Sequence, residues 1–131
     1  MTLNLTTDYA IRIIVCLERK GNVLSASTLA NEMEIPEKYL MKVVKKLKDG
    51  KLVDSVAGIN GGYYLCKGLN EICLLDILNI MQPQSKSNII VENNCSNEKM
   101  QSFYKIKTYY NHVYKQLQDE YLTKSIEEII K

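Results

Sequence analysis

Six lysines stand close together between positions 38 and 51, and Asp49 is the only acid among them. This window therefore carries +5 and the rest of the 131-residue chain −3, because the net charge is +2. At about 100° per residue, several of these lysines fall opposite Leu40, Val43 and Leu47 on a helix. Ammonium groups on such a face can bind nucleic-acid phosphates, although a solvated surface explains a lysine run equally well. The six are Lys38, Lys42, Lys45, Lys46, Lys48 and Lys51.

Residues on either side of the lysine window extend this candidate phosphate-binding surface. Ser25 and Ser27 stand at the start of the preceding helix, from which they could reach a phosphate. Residues 57–62 include three glycines, which let a backbone pass close to a sugar-phosphate chain. An ordinary hairpin that needs positive φ angles is the simpler explanation of those glycines. The predicted DNA-contact set is Ser25, Ser27, Lys38, Tyr39, Met41, Lys42, Lys45, Lys46, Asn60, Gly61 and Gly62.

Thiols and imidazole, the usual ligands of transition metals, are sparse and widely spaced. The four cysteines include no C-x-x-C pair and His112 is the single histidine, so neither a metal site nor a disulfide framework is expected. No acid–base pair or activated nucleophile can be assembled around one histidine, so we do not expect an enzyme. Cys95 stands in a polar segment where an exposed thiol can be oxidised, which makes it a candidate redox residue.

Length and composition favour one domain, or one small domain with an appendage. Hydrophobic residues make up 46% of the chain and charged residues 24%, which excludes wholesale disorder. The longest apolar runs are about five residues, whereas a membrane span needs about 20. The first residues lack the pattern of a secretory signal. We therefore expect a cytoplasmic protein with no membrane partner.

Hydrophobic periodicity predicts three short helices in the first half of the chain. Pro36 separates the second from the third, because proline fits the first turn of a helix but cannot continue one. Thr6 or Thr7 is expected to cap the first helix, and the second is expected to open near Ser25 or Ser27. The predicted ranges are 6–19, 25–33 and 37–49.

The pattern then changes from helical to alternating. Residues 52–56 and 63–66 are predicted as two strands of a hairpin with its tip at 57–62. Two helices joined by a tight turn and followed by a hairpin are the order of a winged helix-turn-helix. The fold class is therefore mainly α with a small β-hairpin. Three parts are predicted along the chain: a winged helix-turn-helix domain over 1–82, a polar loop over 83–97, and a dimerisation region over 98–131. The first part ends in a fourth helix over 70–82. The last part contains a long dimerisation helix and a short terminal helix that starts at Thr123 or Ser125.

The long predicted helix carries apolar residues at intervals of three and four. This spacing is a heptad seam, and tyrosines flank it, which is typical of a protein interface. Packing of the seam on the chain's own core is the alternative. The predicted dimer residues are Phe103, Ile106, Tyr110, Val113 and Leu117.

Several short motifs follow one another along the chain at recurring intervals. They are residues 5–12 (LTTDYAIR), 35–40 (IPEKYL), 52–53, 55–58, 61–63 and 74–77. Together they resemble the Rrf2 family of bacterial winged-helix regulators over nearly the whole chain. The resemblance implies a homodimer that binds a near-palindromic double-stranded DNA operator, usually as a repressor, with dimer contacts from the long helix.

The chain departs from that family at the positions that hold a cofactor. Many members bind an iron–sulfur cluster through three cysteines grouped before the long helix, whereas only Cys95 stands there in this chain. Asp8 matches a ligand of the nitric-oxide-sensing branch, but without its companion cysteines it is better explained by the helix dipole. Cys66 and Cys73 are expected to be small buried or capping residues. We therefore expect no cluster and no other cofactor.

Two further departures concern DNA reading. Ala57 stands where the wing commonly carries an arginine, so insertion of arginine into the minor groove is lost. Met41 stands where some members place a glutamate that accepts from cytosine, and a methionine can instead contact a thymine methyl group. We expect an operator rich in A·T, although a peripheral core contact would also explain Met41.

The residues and the resemblance together predict a cytoplasmic, homodimeric winged-helix transcription regulator that represses without a metal cluster. The signal it answers is a small metabolite, a partner protein or oxidation of Cys95. The alternatives are a winged-helix module that binds proteins rather than DNA, or a redox sensor that works through Cys95.

Overall fold

The computed structural model describes residues 4–83 and 98–131, and within them the chain is mainly helical with one two-stranded hairpin, as predicted. The three predicted helices of the first half are found within about one residue of their expected bounds. The elements are α1 (Leu5–Lys20), α2 (Ala26–Met33), α3 (Glu37–Asp49), β1 (Val53–Val56), β2 (Gly62–Leu65), α4 (Leu74–Met81), α5 (Glu98–Leu117) and α6 (Ile126–Ile130).

The cap of α1 differs from the prediction. Asn4 is the N-cap, and its side-chain oxygen accepts a hydrogen bond from the backbone N–H of Thr7 at 2.9 Å. The expectation that Thr6 or Thr7 caps this helix is wrong, because the helix starts earlier and encloses both residues. Thr7 is fully buried, and its hydroxyl accepts a hydrogen bond from the Gln82 amide at 2.8 Å. The second helix opens next to Ser25, close to its predicted start, and Ser25 is its N-cap.

One hydrophobic core joins the first four helices and the root of the hairpin. Each helix contributes the apolar side that its periodicity predicts, and the short α6 adds Ile126 to the same cluster. Burying a large aliphatic side chain stabilises a fold by about 1.5–3 kcal/mol. The fully buried aliphatic residues are Ile13, Ile14, Leu29, Leu40, Val43, Val44, Leu47, Val53, Ile72 and Ile77.

The two strands pair antiparallel, from Val53 opposite Leu65 to Val56 opposite Gly62. A third segment joins them, because the N–H and C=O of Leu24 exchange hydrogen bonds of 3.0 and 2.7 Å with those of Tyr63. This bridge links the segment before α2 to the hairpin, and no periodic pattern in the sequence predicts it.

Gly62 makes the third-segment contact possible. A Cβ at this position would overlap the carbonyl of Leu24 and come within 2.7 Å of the Ser25 nitrogen. The second strand begins here, one residue earlier than predicted, so Gly62 belongs to the strand and not to the hairpin tip.

The fourth helix starts at Leu74, not at Asn70 as predicted. Cys73 is its N-cap, and the Asp76 carboxylate accepts from the Cys73 backbone N–H at 3.0 Å, in the manner of a capping box. The residues before it are held in a turn by the end of the chain. The carbonyls of Leu69 and Ile72 accept hydrogen bonds from Glu127 and Ile126, and a helix over these residues would remove both acceptors.

The long helix is confirmed, with one irregular turn at its end. After Leu117 the backbone widens into a π-helical turn, Gln118–Leu122, and Ser125 then caps α6 by accepting from the Glu128 N–H at 3.1 Å. The predicted loop over 83–97 lies, apart from Pro83, outside the described residues. No helix within residues 4–83 and 98–131 is long and apolar enough to cross a membrane.

The contact between Gly62 and Leu24 leads to a stability prediction. Replacing Gly62 with alanine should lower the free energy of unfolding by roughly 3–4 kcal/mol, because the new methyl group displaces Leu24 from Tyr63. Gly21→Ala is the matched control, since Gly21 has a φ of 67° but no neighbour near its Cβ, and should cost only about 1–2 kcal/mol. Urea unfolding measures both, and equal losses would show that the Leu24 contact contributes nothing.

Candidate nucleic-acid interface

The third helix divides into a buried side and a basic side, as its sequence predicts. Leu40, Val43 and Leu47 are at most 1% exposed, and they pack between the neighbouring helices. All six lysines of the window are exposed. Because the apolar side of α3 is held in the core, the lysines on its other side point to solvent.

The described part of the chain does not neutralise the charges on this face. Within the described residues, none of the six lysines takes part in an ion pair. The Lys48 ammonium donates to the Ser55 hydroxyl at 2.7 Å, and the Lys42 nitrogen lies 5.9 Å from the centre of the Tyr39 ring. Both contacts leave the positive charge available to an external anion.

A groove of about 440 Å³ runs between α3 and the hairpin. The Tyr63 hydroxyl donates to the Met41 sulfur across this groove at 3.8 Å, which joins β2 to α3. Tyr63 and Ser55 were not among the predicted contact residues, because their place depends on the strand register. The groove is lined by Met41, Lys42, Val44, Lys45, Lys48, Ser55 and Tyr63.

The hairpin tip presents Asn60 and an apolar residue to solvent. Ile59, which the sequence reasoning passed over, is fully exposed at the tip. The Gly61 N–H donates to the Gly58 carbonyl at 3.0 Å, and a Cβ on Gly61 would overlap the Val56 carbonyl. Glycine at position 61 therefore serves the turn itself, and Asn60 and Ile59 are the side chains that this turn projects.

The remaining predicted contact residues lie around α3 and at the start of α2. Tyr39 and Met41 are each 47% exposed on the lysine side of α3. The Ser25 hydroxyl accepts from the Thr28 N–H at 3.2 Å, so its first role is to cap α2, and Ser27 is exposed in the first turn. An anion at this helix terminus would meet free backbone N–H groups of the first turn.

The apolar seam of α5 faces solvent in the single chain. Phe103, Ile106, Tyr110 and Val113 are all exposed, Ile106 to 69%, and Leu117 is half-buried. The alternative expectation, burial of the seam on the chain's own core, is not met within the described residues. Tyr110 and Tyr114 have nearly parallel rings, and the ring centroids lie 6.5 Å apart.

The described cysteines do not converge. Cys16 is buried in the core, Cys66 is exposed beside the hairpin and Cys73 caps α4. Loss of water around the sulfur raises the pKa of each of these three thiols above its ordinary value, even at Cys66, so all three favour the protonated form at neutral pH. Cys95 lies outside the described residues.

Asp8 has a partner within its own helix. Its carboxylate lies 2.8 Å from the Arg12 guanidinium, which also donates to the Met33 carbonyl at 3.1 Å. This carboxylate therefore stabilises the first turn of α1 and links it, through Arg12, to the end of α2.

A lysine-faced helix after a short helix and a tight turn, followed by a β-hairpin, defines the winged helix-turn-helix class of proteins. The chain belongs to the Rrf2 family. The family model, described as "Iron-dependent Transcriptional regulator", matches residues 3–131, and the resemblance seen in the sequence is thereby confirmed.

Two named relatives are similar to part of this chain, and the name of one states a class. YffB of Lactococcus lactis, which carries the name of an HTH-type transcriptional regulator, is 32% identical over 79 residues, or 59% of this chain and 51% of YffB. Protein aau3 of Rhizobium meliloti is 31% identical over 83 residues, or 63% of this chain and 54% of aau3. The chain thus spans about half the length of the curated relatives it matches.

Solved structures share the fold over most of the chain. The superposition on T. potens IscR covers 99% of this chain and 86% of the IscR chain, with a TM-score of 0.72 at 19% identity. CymR, the global cysteine regulator of B. subtilis, covers 86% of this chain and 88% of its own, with a TM-score of 0.61 at 24% identity. At these identities the likeness concerns the fold.

The family description raises the question of iron, and the described residues do not fit such a group. Within residues 4–83 and 98–131, no three side chains of histidine, cysteine, aspartate or glutamate come together as metal ligands. Asp8 faces Arg12, and Cys73 serves the α4 cap.

Proposed function

We infer that this chain is a homodimeric transcription regulator that binds a double-stranded DNA operator through α3 and the hairpin wing. The observation that carries this function is the lysine face of α3, which makes no ion pair with residues 4–83 or 98–131 and lies opposite a buried apolar face. Such a helix can enter the major groove while its lysines neutralise phosphates on both sides. Because its target is DNA, the protein acts in the cytoplasm, and it acts by binding and not by catalysis.

Base readout falls to the side chains between the phosphate-binding lysines. Met41 offers an apolar contact to a thymine methyl group, and Tyr39 and Lys45 stand on the same exposed side. The wing adds Asn60 and Gly61 at its tip, where no arginine is present to enter a narrow minor groove. These features support an operator rich in A·T.

Dimerisation through α5 completes the site. One recognition helix contacts too few base pairs for specific binding, and two helices about one turn of DNA apart overcome this limit. The exposed seam of Phe103, Ile106, Tyr110 and Val113 supplies an apolar surface of the spacing that two helices need to pack. Occupation of the operator by this dimer represses transcription.

The regulator works without an iron–sulfur cluster. The scattered thiols at positions 16, 66 and 73 support this part of the proposal, because a cluster needs several thiolates at one place. The signal then reaches the dimer as a small metabolite, a partner protein or oxidation of Cys95.

Iron content and the visible absorption spectrum after anaerobic purification test whether the protein lacks a cluster. Stoichiometric iron with visible absorption bands would contradict the cluster-free proposal.

Salt dependence tests the DNA contact itself. The double variant Lys42→Glu and Lys45→Glu should lose specific affinity for the protein's own upstream DNA, and its slope of log affinity against log salt should fall by about 1 for each phosphate contact removed. Fluorescence anisotropy at several salt concentrations measures both quantities.

The control changes the same charge elsewhere. Lys124→Glu with Lys131→Glu removes two exposed lysines outside α3 and the wing, and should leave the slope unchanged. A wild-type affinity that ignores salt would contradict DNA binding and leave the protein-interaction module as the better explanation.

A charge placed in the seam tests the dimer. Ile106→Asp should yield monomers in sedimentation velocity and weaken operator binding by at least about 100-fold, because each half-site then binds alone. Thr108→Asp puts the same charge on the opposite side of α5 and should remain dimeric. An Ile106→Asp protein that stays dimeric, or a monomeric wild type, would rule out this seam as the interface.

A further inference from the structure

We propose that Tyr63 is a positioning residue for base readout: its hydroxyl holds the Met41 thioether in the groove between α3 and the wing, where the thioether meets a thymine methyl group. The proposal rests on the proposed function, because it concerns how the DNA-binding surface distinguishes one base from another. Nothing in the family motif or in the lysine pattern assigns such a role to the wing strand.

The first support is the contact between the two side chains. The Tyr63 hydroxyl donates to the Met41 sulfur at 3.8 Å, and both residues line the groove together with Lys42 and Lys45. Methionine has three rotatable side-chain bonds and is otherwise free to adopt many conformations on an exposed helix face. A hydrogen bond to its sulfur selects one of them before DNA arrives, which reduces the entropy lost on binding.

The second support is the rigidity of Tyr63. Its backbone pairs with Ser55 on one side and with Leu24 on the other, so it occupies the central position of a small three-segment sheet. Gly62 permits the approach of Leu24, since any side chain there would overlap the Leu24 carbonyl. A hydroxyl carried by so constrained a backbone can hold a flexible partner in place.

The third support is the difference between two adjacent tyrosines. Successive residues of a strand point to opposite sides. Tyr63 therefore faces α3, whereas Tyr64 lines a separate concavity with Leu17, Glu18 and Val23. The chain thus contains its own control: Tyr64 is the same residue type, one position away, and lines a concavity to which the described lysines do not contribute.

The chemistry of the groove indicates what the positioned thioether contacts. The lysines that line the groove suit phosphate oxygens, and the Met41 side chain among them offers an apolar surface, because its sulfur already accepts from the Tyr63 hydroxyl. The thymine methyl group is the apolar feature that the major groove presents. A thioether held in this position therefore increases the affinity for DNA with thymine at one position of each half-site.

The test uses DNA in which single thymines are replaced by deoxyuridine, which removes only the methyl group. With an operator selected from random DNA by the wild-type protein, one thymine in each half-site should lose affinity about threefold to fivefold on this replacement. Tyr63→Phe, which removes only the hydroxyl, should reduce that discrimination to less than about twofold, while Tyr64→Phe should retain it.

A second variant separates positioning from a loss of structure. In a Met41→Leu background, which lacks the sulfur acceptor, Tyr63→Phe should change nothing further, because coupled residues show non-additive effects. Thermal unfolding of all four proteins identifies any variant whose fold is damaged, and the sulfur-free background keeps the comparison valid.

Each outcome decides the matter. Equal thymine discrimination by wild type and Tyr63→Phe overturns the proposal, and so does a uniform loss of affinity on all sequences, which would make Tyr63 a phosphate contact. A wild type that binds its operator in a salt-dependent manner but shows no methyl effect at any position also overturns it, with the proposed function intact. A wild type that binds no DNA overturns both.

Discussion

The burial of one side of α3 is the interaction on which the rest of the structure depends. Leu40, Val43 and Leu47 are closed off by the core, and rotating the helix to expose them would cost several times the roughly 1.5–3 kcal/mol that each side chain contributes. The lysines are thereby forced outward at high local density, where an anionic partner relieves their mutual repulsion. A net charge of +2 conceals this arrangement, because the opposite charges stand elsewhere on the chain.

The wing and the start of α2 are joined to that helix by a few specific contacts. Leu24 pairs with Tyr63, and the next residue, Ser25, caps α2, so the turn before α2 and the wing strand form one unit. Lys48 and Met41 then connect α3 to the hairpin through side chains. Candidate contact residues that are distant in sequence therefore belong to one surface, and the family's winged helix-turn-helix fold explains why they converge.

Much of this could be predicted from the sequence, and the failures have physical reasons. The bounds of α1, α2 and α3 follow from apolar spacing, capping residues and Pro36, which are local signals. The start of α4 was misplaced because Leu69 and Ile72 bond to the end of the chain, which no local pattern reveals. The bridge between Leu24 and Tyr63 uses a single residue of the segment before α2, so no alternating pattern in the sequence could reveal it. The place of Tyr63 in the groove depends on this bridge. The α5 seam was visible as a heptad, and its residues Phe103, Ile106, Tyr110 and Val113 are exposed in the single chain.

The central claim is that two copies of α3 read a double-stranded operator, and selection of binding sites from random DNA by the purified protein tests it most directly. The account predicts an inverted pair of A·T-rich half-sites whose centres lie about one helical turn apart, roughly 10 base pairs or a multiple of it. Recovery of no enriched sequence, or of isolated G·C-rich sites without symmetry, would contradict it.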